Sequence, residues 1–491
     1  MFKRITLILS AAFVLLSAVL LINTLRFRSR QIEVAPATAL PQLPDSLAAH
    51  LAGALSLPTV SYQDTAHFDP EPFLNFQAYL QEVLPEVHRR MKREIVNRYS
   101  LLYTWEGSHP QLPPVVLMAH LDVVPVEPQS EMEWLYPAFS GEVADGYIWG
   151  RGALDDKASL MAMLEAAERL LAYQFRPHRT LIFAVGHDEE VGGSGGAAKI
   201  VEVLEKRGVR PAAVLDEGGA IIQGMMPGIA HPVAMVGIAE KGYVSLELVV
   251  ESHGGHSSMP PRETAVGILA RAVYRLETHQ MPARLEGPIR EMFDYLGPEM
   301  PLFSRVILAN LWLFKPIVLY QLSGNPTTNA MVRTTTAPTM LEGSVKENVL
   351  PTRARAVINF RIRPGDTIGT VVAHVRKVID DPRVRVRTLP FGSEPSPVSS
   401  PRAPAFEWIA RTIRQVFSET QVTPSLVVGA TDSRHFVRLS RNIYRFAPLR
   451  LAARDVRRVH GVNERIAVQH YLDAIRFYIQ LFKNLDHLQS P

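Results

Sequence analysis

Four segments of the chain gather acids and histidines directly behind short apolar runs. His120-Leu-Asp122 follows Val115 to Met118. Gly150-Arg-Gly-Ala-Leu-Asp155-Asp156-Lys157 opens a stretch of helical spacing. His187-Asp188-Glu189-Glu190 follows Leu181 to Val185, and Asp216-Glu217-Gly218-Gly219 follows Ala212 to Leu215. Carboxylates converging on one place repel one another unless cations lie between them. Imidazole plus carboxylate, without thiolate, suits zinc or another divalent first-row metal. The chain has no cysteine, which excludes disulfides, thiolate zinc sites and cysteine nucleophiles. A lone His-x-Asp is an ordinary turn pair, and Asp155 or Asp156 could simply cap the following helix. Four such endings in succession favour a metal site. Gly192-Gly193-Ser194-Gly195-Gly196 lacks the pattern of a phosphate-binding loop and is expected to let the backbone pass close behind the ligands.

The elements that must position these groups follow from periodicity. The continuous runs Val115–Met118, Leu181–Val185 and Ala212–Leu215 read as buried strands of a parallel sheet, with a helix from Lys157 to Tyr173 between the first two. That is βαβ order in an α/β domain, where ligands bind beyond the carboxyl ends of the strands. Tyr243 to Val250 alternates instead, as a half-exposed strand. A helix (263–276), a strand (354–362) and a second helix (367–379) follow. The expected organisation is therefore a catalytic domain over 45–242 and 393–491, mainly parallel, with a smaller α+β lid or dimerisation domain inserted over 243–392. Within the insertion, Pro282 to Leu322 is strongly apolar, while Arg305, Lys315 and Pro316 argue against a span. It reads as extra core or dimer packing, or as a wall facing lipid.

The N-terminus stands apart. Ile5–Leu25 is a 21-residue stretch without charge, between Lys3-Arg4 and Arg26-Phe-Arg-Ser-Arg30. At about 1.5 Å per residue such a helix crosses a roughly 30 Å hydrocarbon layer. No small-residue cleavage site follows, so residues 1–30 are expected to be a membrane anchor, or a signal segment if cleaved. The catalytic body is then expected on the extracytoplasmic side, or secreted. The segment 31–44 with three prolines reads as a linker. The anchor carries five of the 52 basic residues and none of the 48 acids, so the remainder is near neutral and offers no nucleic-acid surface.

Taken together, Met118-Ala-His-Leu-Asp-Val-Val-Pro125, Gly150–Lys157, Gly186-His-Asp-Glu-Glu190, Asp216–Gly219, Gly254-Gly-His-Ser-Ser258 and His460-Gly-Val-Asn-Glu464 resemble a family. It is that of the dinuclear zinc amidohydrolases and peptidases, which includes carboxypeptidase S and the aminoacylases. Asn325-Pro-Thr-Thr-Asn-Ala, Arg333-Thr-Thr-Thr and Thr431-Asp-Ser-Arg434 resemble its carboxypeptidase S and N-fatty-acyl-amino-acid hydrolase branch in particular.

The resemblance implies two Zn2+ ions, with Co2+ or Mn2+ as substitutes. One ion would be held by His120 and Asp216 and the other by Glu190 and His460. Asp155 would bridge them, often with a cis peptide to Asp156. Asp122 would fix the tautomer of His120, and Glu189 would be the general base. His256, from the inserted domain, would donate to the developing oxyanion, its own or that of a dimer partner. Asn348 and Arg361 would bind substrate, the Arg fork suiting a carboxylate.

The implied activity is hydrolysis of an amide whose amine side is an amino acid with a free carboxylate, in a small-molecule or short-peptide substrate. A homodimer through the inserted domain is the expected assembly. A di- or aminopeptidase of the same family is the alternative within enzymes. A catalytically silent binding module is the alternative outside them.

Overall fold

In the computed structural model, residues 1–37 and 41–488 are described. Residues 38–40, inside the expected linker, and 489–491, at the end of the expected catalytic domain, lie outside the described residues. The main sheet has ten strands and is mixed. At its centre Val115–His120 lies parallel to Leu181–Gly186 on one side and to Ala213–Asp216 on the other. These strands are buried along their whole length. This explains why they read as unbroken apolar runs, since a parallel sheet is covered on both faces. Lys157–Ala172 and Val468–Lys483 pack together on one face, around Leu160, Leu164, Ile475 and Phe482. Ala197–Lys206 covers the other. The edge is antiparallel: the hairpin Lys92–Val96 and Ser100–Trp105 joins Leu181–Gly186.

A second sheet is antiparallel throughout, in the order Thr335–Glu342, Arg353–Ile362, Gly242–Glu251, Val384–Thr388. Helices Ala265–Thr278 and Ile368–Ile379 bury Leu269, Ala272, Val371 and Val375 against it in a core of its own. The main-sheet strand Val233–Glu240 runs on through Lys241 into Gly242–Glu251, so one chain segment ties the sheets together.

The segment 288–332 forms four helices and a short turn, packed around Leu296, Leu308 and Val332. Phe2–Arg26 is one 25-residue helix, long and apolar enough to cross a membrane. The expected linker differs from a free spacer, because it is laid against the body. The Gln31 side chain pairs with both backbone groups of Val422, at 2.9 and 2.8 Å. Ala37 N–H donates to Gln415 O, Arg476 Nε donates to Pro41 O, and Leu43 is buried. Prolines left its carbonyls and apolar side chains available for docking, which composition alone does not distinguish from a spacer.

Candidate metal centre

The three central strands end side by side, His120 opposite Gly186, and deliver their polar residues to one place. His120 is buried, and its Nε2 lies 3.0 Å from Asp155 Oδ1. His460 Nε2 lies 3.0 Å from Asp155 Oδ2 and 3.2 Å from Glu190 Oε1. The two oxygens of one carboxylate are thus shared between two imidazoles arriving from opposite ends of the sequence. His120, Asp155 and Glu190 bring ligand atoms within 4.8 Å of one another. Glu190 Oε1 is buried and, apart from the His460 ring 3.2 Å away, has no partner. A buried acceptor left unpaired is costly, and a cation would satisfy it. The donor set therefore fits a metal. The peptide bond from Asp155 to Asp156 is cis.

Protonation follows the same geometry. Hydrogen bonds to Asp155 and then Glu190 push His460 up to about 10. For His120, burial opposes the charge, but hydrogen bonds to Asp122 and Asp155 prevail and raise it well above the usual imidazole range. A metal ion would displace any proton on the nitrogens that face Asp155. Burial drives Asp155 upward, yet its bonds to His120 and His460 hold it below the usual range.

Asp122 is fully buried and works as a clamp. Its Oδ1 accepts from Glu189 N–H at 3.1 Å and its Oδ2 from Glu190 N–H at 3.2 Å and Ser61 Oγ at 2.6 Å. His120 Nδ1 lies 3.0 Å from the Asp122 carbonyl and 3.4 Å from Oδ1, which fixes Nε2 toward Asp155. Glu189 and Glu190 could not both face the site from a regular strand. The strand ends at Gly186, and Glu189–Val191 is a single 3₁₀ turn held by Asp122. Burial pushes the Glu189 carboxyl well above the usual range, with the charges of Asp432, Glu190 and Asp155 adding to the shift. A proton acceptor poised upward in pKa is what general base work at neutral pH needs. Asp188, between these groups, instead accepts from Gly195 and Gly196 N–H.

Asp216 is placed differently from the expectation. Its Oδ1 accepts from Glu217 N–H at 3.0 Å and its Oδ2 from Ser433 N–H at 2.7 Å, and it stays outside the group of three ligand atoms. Burial raises the carboxyls of both Asp216 and Glu217, and for Glu217 the charges of Asp155, Asp216, Asp156 and Glu189 add to the shift.

His256, Asn348 and Arg361 lie on the second unit. Among the described residues, none of them hydrogen-bonds to the cluster. His256 is exposed on the short strand Gly255–His256, paired with Val349–Leu350, and Ser257 N–H donates to Asn348 O at 3.1 Å. Arg361 sits opposite Tyr243, near the junction of the sheets, with its guanidinium 5.0 Å from the ring centre.

Two further residues support the centre. Glu464 is buried and accepts from Arg151 Nη1 at 2.6 Å and from the N–H groups of Gly152, Leu154 and Asp155. Arg151 Nη2 in turn donates to His460 O. One carboxylate thus locks the loop carrying Asp155 to the segment carrying His460, itself at a left-handed φ of 60°. Asp432 fills the space left by two glycines: a Cβ on Gly193, at φ 67°, would come within 1.9 Å of its Oδ1. The glycine run therefore does admit a close approach behind the ligands. Only the Asp432 partner, far along the chain, was beyond local spacing.

Glu464→Ala is expected to cost about 3–5 kcal/mol, because Arg151 stays buried without its partner. It should also weaken metal binding by about ten- to a hundredfold. Glu464→Gln should lie between it and the parent. Thermal melts and metal titration read both effects, and parental values in both would remove Glu464 from this role.

Comparison with known proteins identifies a family and a fold. The description "Peptidase family M20/M25/M40" matches residues 116–484. The chain is 45% identical to "N-fatty-acyl-amino acid synthase/hydrolase PM20D1" of Xenopus tropicalis, over 90% of this chain and 86% of that protein. It is 41% identical to "Probable carboxypeptidase S-like 2" of Dictyostelium discoideum, over 99% and 95%. The fold is similar to that of the M20 family metallo-carboxypeptidase Sso-CP2 from Sulfolobus solfataricus. That match has a TM-score of 0.66 and 19% identity, and covers 90% of this chain and 99% of that one.

Proposed function

The chain belongs to peptidase family M20/M25/M40, and from that premise we propose that it cleaves amides whose amine side is an amino acid with a free carboxylate. The substrate is an N-acyl amino acid or the C-terminal residue of a peptide. The observation that carries the metal reading is the Asp155 carboxylate, whose two oxygens each face an imidazole Nε2 at 3.0 Å. We assign one ion to His120, Asp155 and Glu217, the last in the place expected of Asp216, and the other to Glu190, His460 and Asp155. Zinc is the ion favoured by a set of imidazole and carboxylate, with cobalt or manganese as substitutes. Bound there, such ions supply Lewis-acid polarisation and a water of lowered pKa.

The chain's own residues do the rest. Glu189 takes the proton of the attacking water and returns it to the departing amine nitrogen. Asp122 fixes both the base and the His120 ring. Arg361 offers its fork to the substrate carboxylate. Hydrolysis by the full chain, with N-acyl amino acids of rising acyl length set beside dipeptides bearing a free amine, tests the substrate class. N-acyl amino acids are expected to be cleaved. Turnover of free-amine dipeptides alone would favour the di- or aminopeptidase reading. Turnover of neither would favour a silent binding module, which the intact set of ligands and base argues against.

His256 and Asn348 stand exposed and close to one another, with no hydrogen bond to the cluster of their own chain among the described residues, which supports their completing the site of a second copy in a homodimer. Mixing Glu189→Gln with His256→Ala subunits is then expected to restore about a quarter of parental activity, since half of random dimers carry one intact composite site. No restoration would place His256 in its own subunit's site. The apolar N-terminal helix supports a membrane-anchored protein with its body on the extracytoplasmic side, and protease protection in sealed vesicles reads the side.

A further inference from the structure

Leu302–Ala309 and Leu311–Ser323 are two short apolar helices that meet at Asn310 with a bend of 112°. Their packing is incomplete. Leu311–Ser323 buries only Leu311 and Val318. Leu302, Phe303, Trp312, Ile317 and Tyr320 are all 60% exposed or more. A contiguous apolar surface of this kind on a folded protein marks an interaction site. At about 1.5 Å per residue, 13 residues reach about 20 Å, too short to span a bilayer. Lys315 and Pro316 within the helix agree with that.

The elbow of this pair is fastened to the foot of the N-terminal helix. Asn310 is fully buried. Its Nδ2 donates to Leu20 O at 3.2 Å, and its Oδ1 accepts from Asn23 Nδ2 at 2.8 Å and Trp312 Nε1 at 3.2 Å. Arg305 Nη2 donates to Phe27 O at 2.8 Å, and Phe27 packs into the same helical core. Arg30 pairs with Glu291 and Asp294 just beyond. Leu20 to Phe27 is where the uncharged stretch gives way to Arg26 and Arg28, so the elbow sits where that helix leaves the hydrocarbon. The pair carries no acid across 302–323, two basic residues, and the aromatic side chains that favour the bilayer interface.

We infer that this bent helical pair is a second membrane contact, lying in the plane of the bilayer interface on the side where the N-terminal helix emerges. Its occupant is lipid: acyl chains against Leu302, Phe303, Ile317 and Tyr320, and head groups against Arg305 and Lys315. Two contacts that are not collinear hold the body in one orientation to the membrane, which a single helix cannot do. This inference rests on the reading of Phe2–Arg26 as a membrane anchor.

The absence of cysteine makes the test direct. Full-length protein is reconstituted into phosphatidylcholine–phosphatidylglycerol vesicles, with single nitroxide labels on Phe303→Cys, Ile317→Cys or Tyr320→Cys. Leu15→Cys reports the anchor, and Tyr274→Cys, 66% exposed on the second unit, reports water. Relaxation by oxygen relative to a water-soluble nickel chelate is expected to be several-fold higher at Phe303, Ile317 and Tyr320 than at Tyr274, approaching Leu15. A lipid signal at Leu15 with water-like values at the three sites would overturn the second contact and leave the anchor standing. Low access to both reagents at the three sites would mean that a second copy covers them, and would also overturn it. A water-like value at Leu15 would remove the anchor reading, and the inference with it.

Discussion

Glu189→Gln is expected to lower turnover by about 10²- to 10⁴-fold, the range for loss of a positioned general base. The metal content and the melting temperature should stay at parental values. The separation of effects is the informative part. Asp122 grips Glu189 through its backbone N–H, not its side chain, so an amide at this position leaves the turn in place. Glutamine fills the same volume and carries no charge, which relieves repulsion with Glu190, Asp155 and Asp432. What it cannot do is accept the proton of water. Unchanged turnover would take Glu189 out of the reaction. Loss of metal together with activity would make it a ligand instead.

How much of this was legible in the sequence depended on the range of the determining contacts. The central strands, the Lys157 helix and the second-sheet elements Gly242–Glu251, Ala265–Thr278, Arg353–Ile362 and Ile368–Ile379 match the expected spans within a few residues, because each has a clear period of 2 or 3.6 or an unbroken apolar run. Strand Thr335–Glu342 is largely exposed and contains Pro338 at a bulge, so it had no such pattern.

His120, Asp155 and Glu190 were readable because they follow a strand or precede a helix, whereas His460, in a turn, was reached only through the resemblance. Asp216 was expected as a ligand through the resemblance, since local spacing alone cannot choose between two adjacent acids. The Ser433 N–H, more than two hundred residues away, takes up an Asp216 oxygen, and on that contact rests the proposal that Glu217 serves the site instead. Glu464 was visible as part of a motif, but its role depends on Arg151 and three backbone amides that only the fold brings to it.

The metal dependence carries the largest effect of all. Removing the ions from this centre would leave Asp155, Glu189 and Glu190 beside His120 and His460 with no cation between them. Such a site has lost its Lewis acid and retains only a base with nothing to activate. The most direct measurement is therefore a titration of chelator-stripped full-length protein with zinc, reading bound metal per chain and hydrolysis of an N-acyl amino acid in the same samples. Stripped protein is expected to be inactive and to recover fully as occupancy reaches two ions per chain, whereas full activity in metal-free protein would contradict the account.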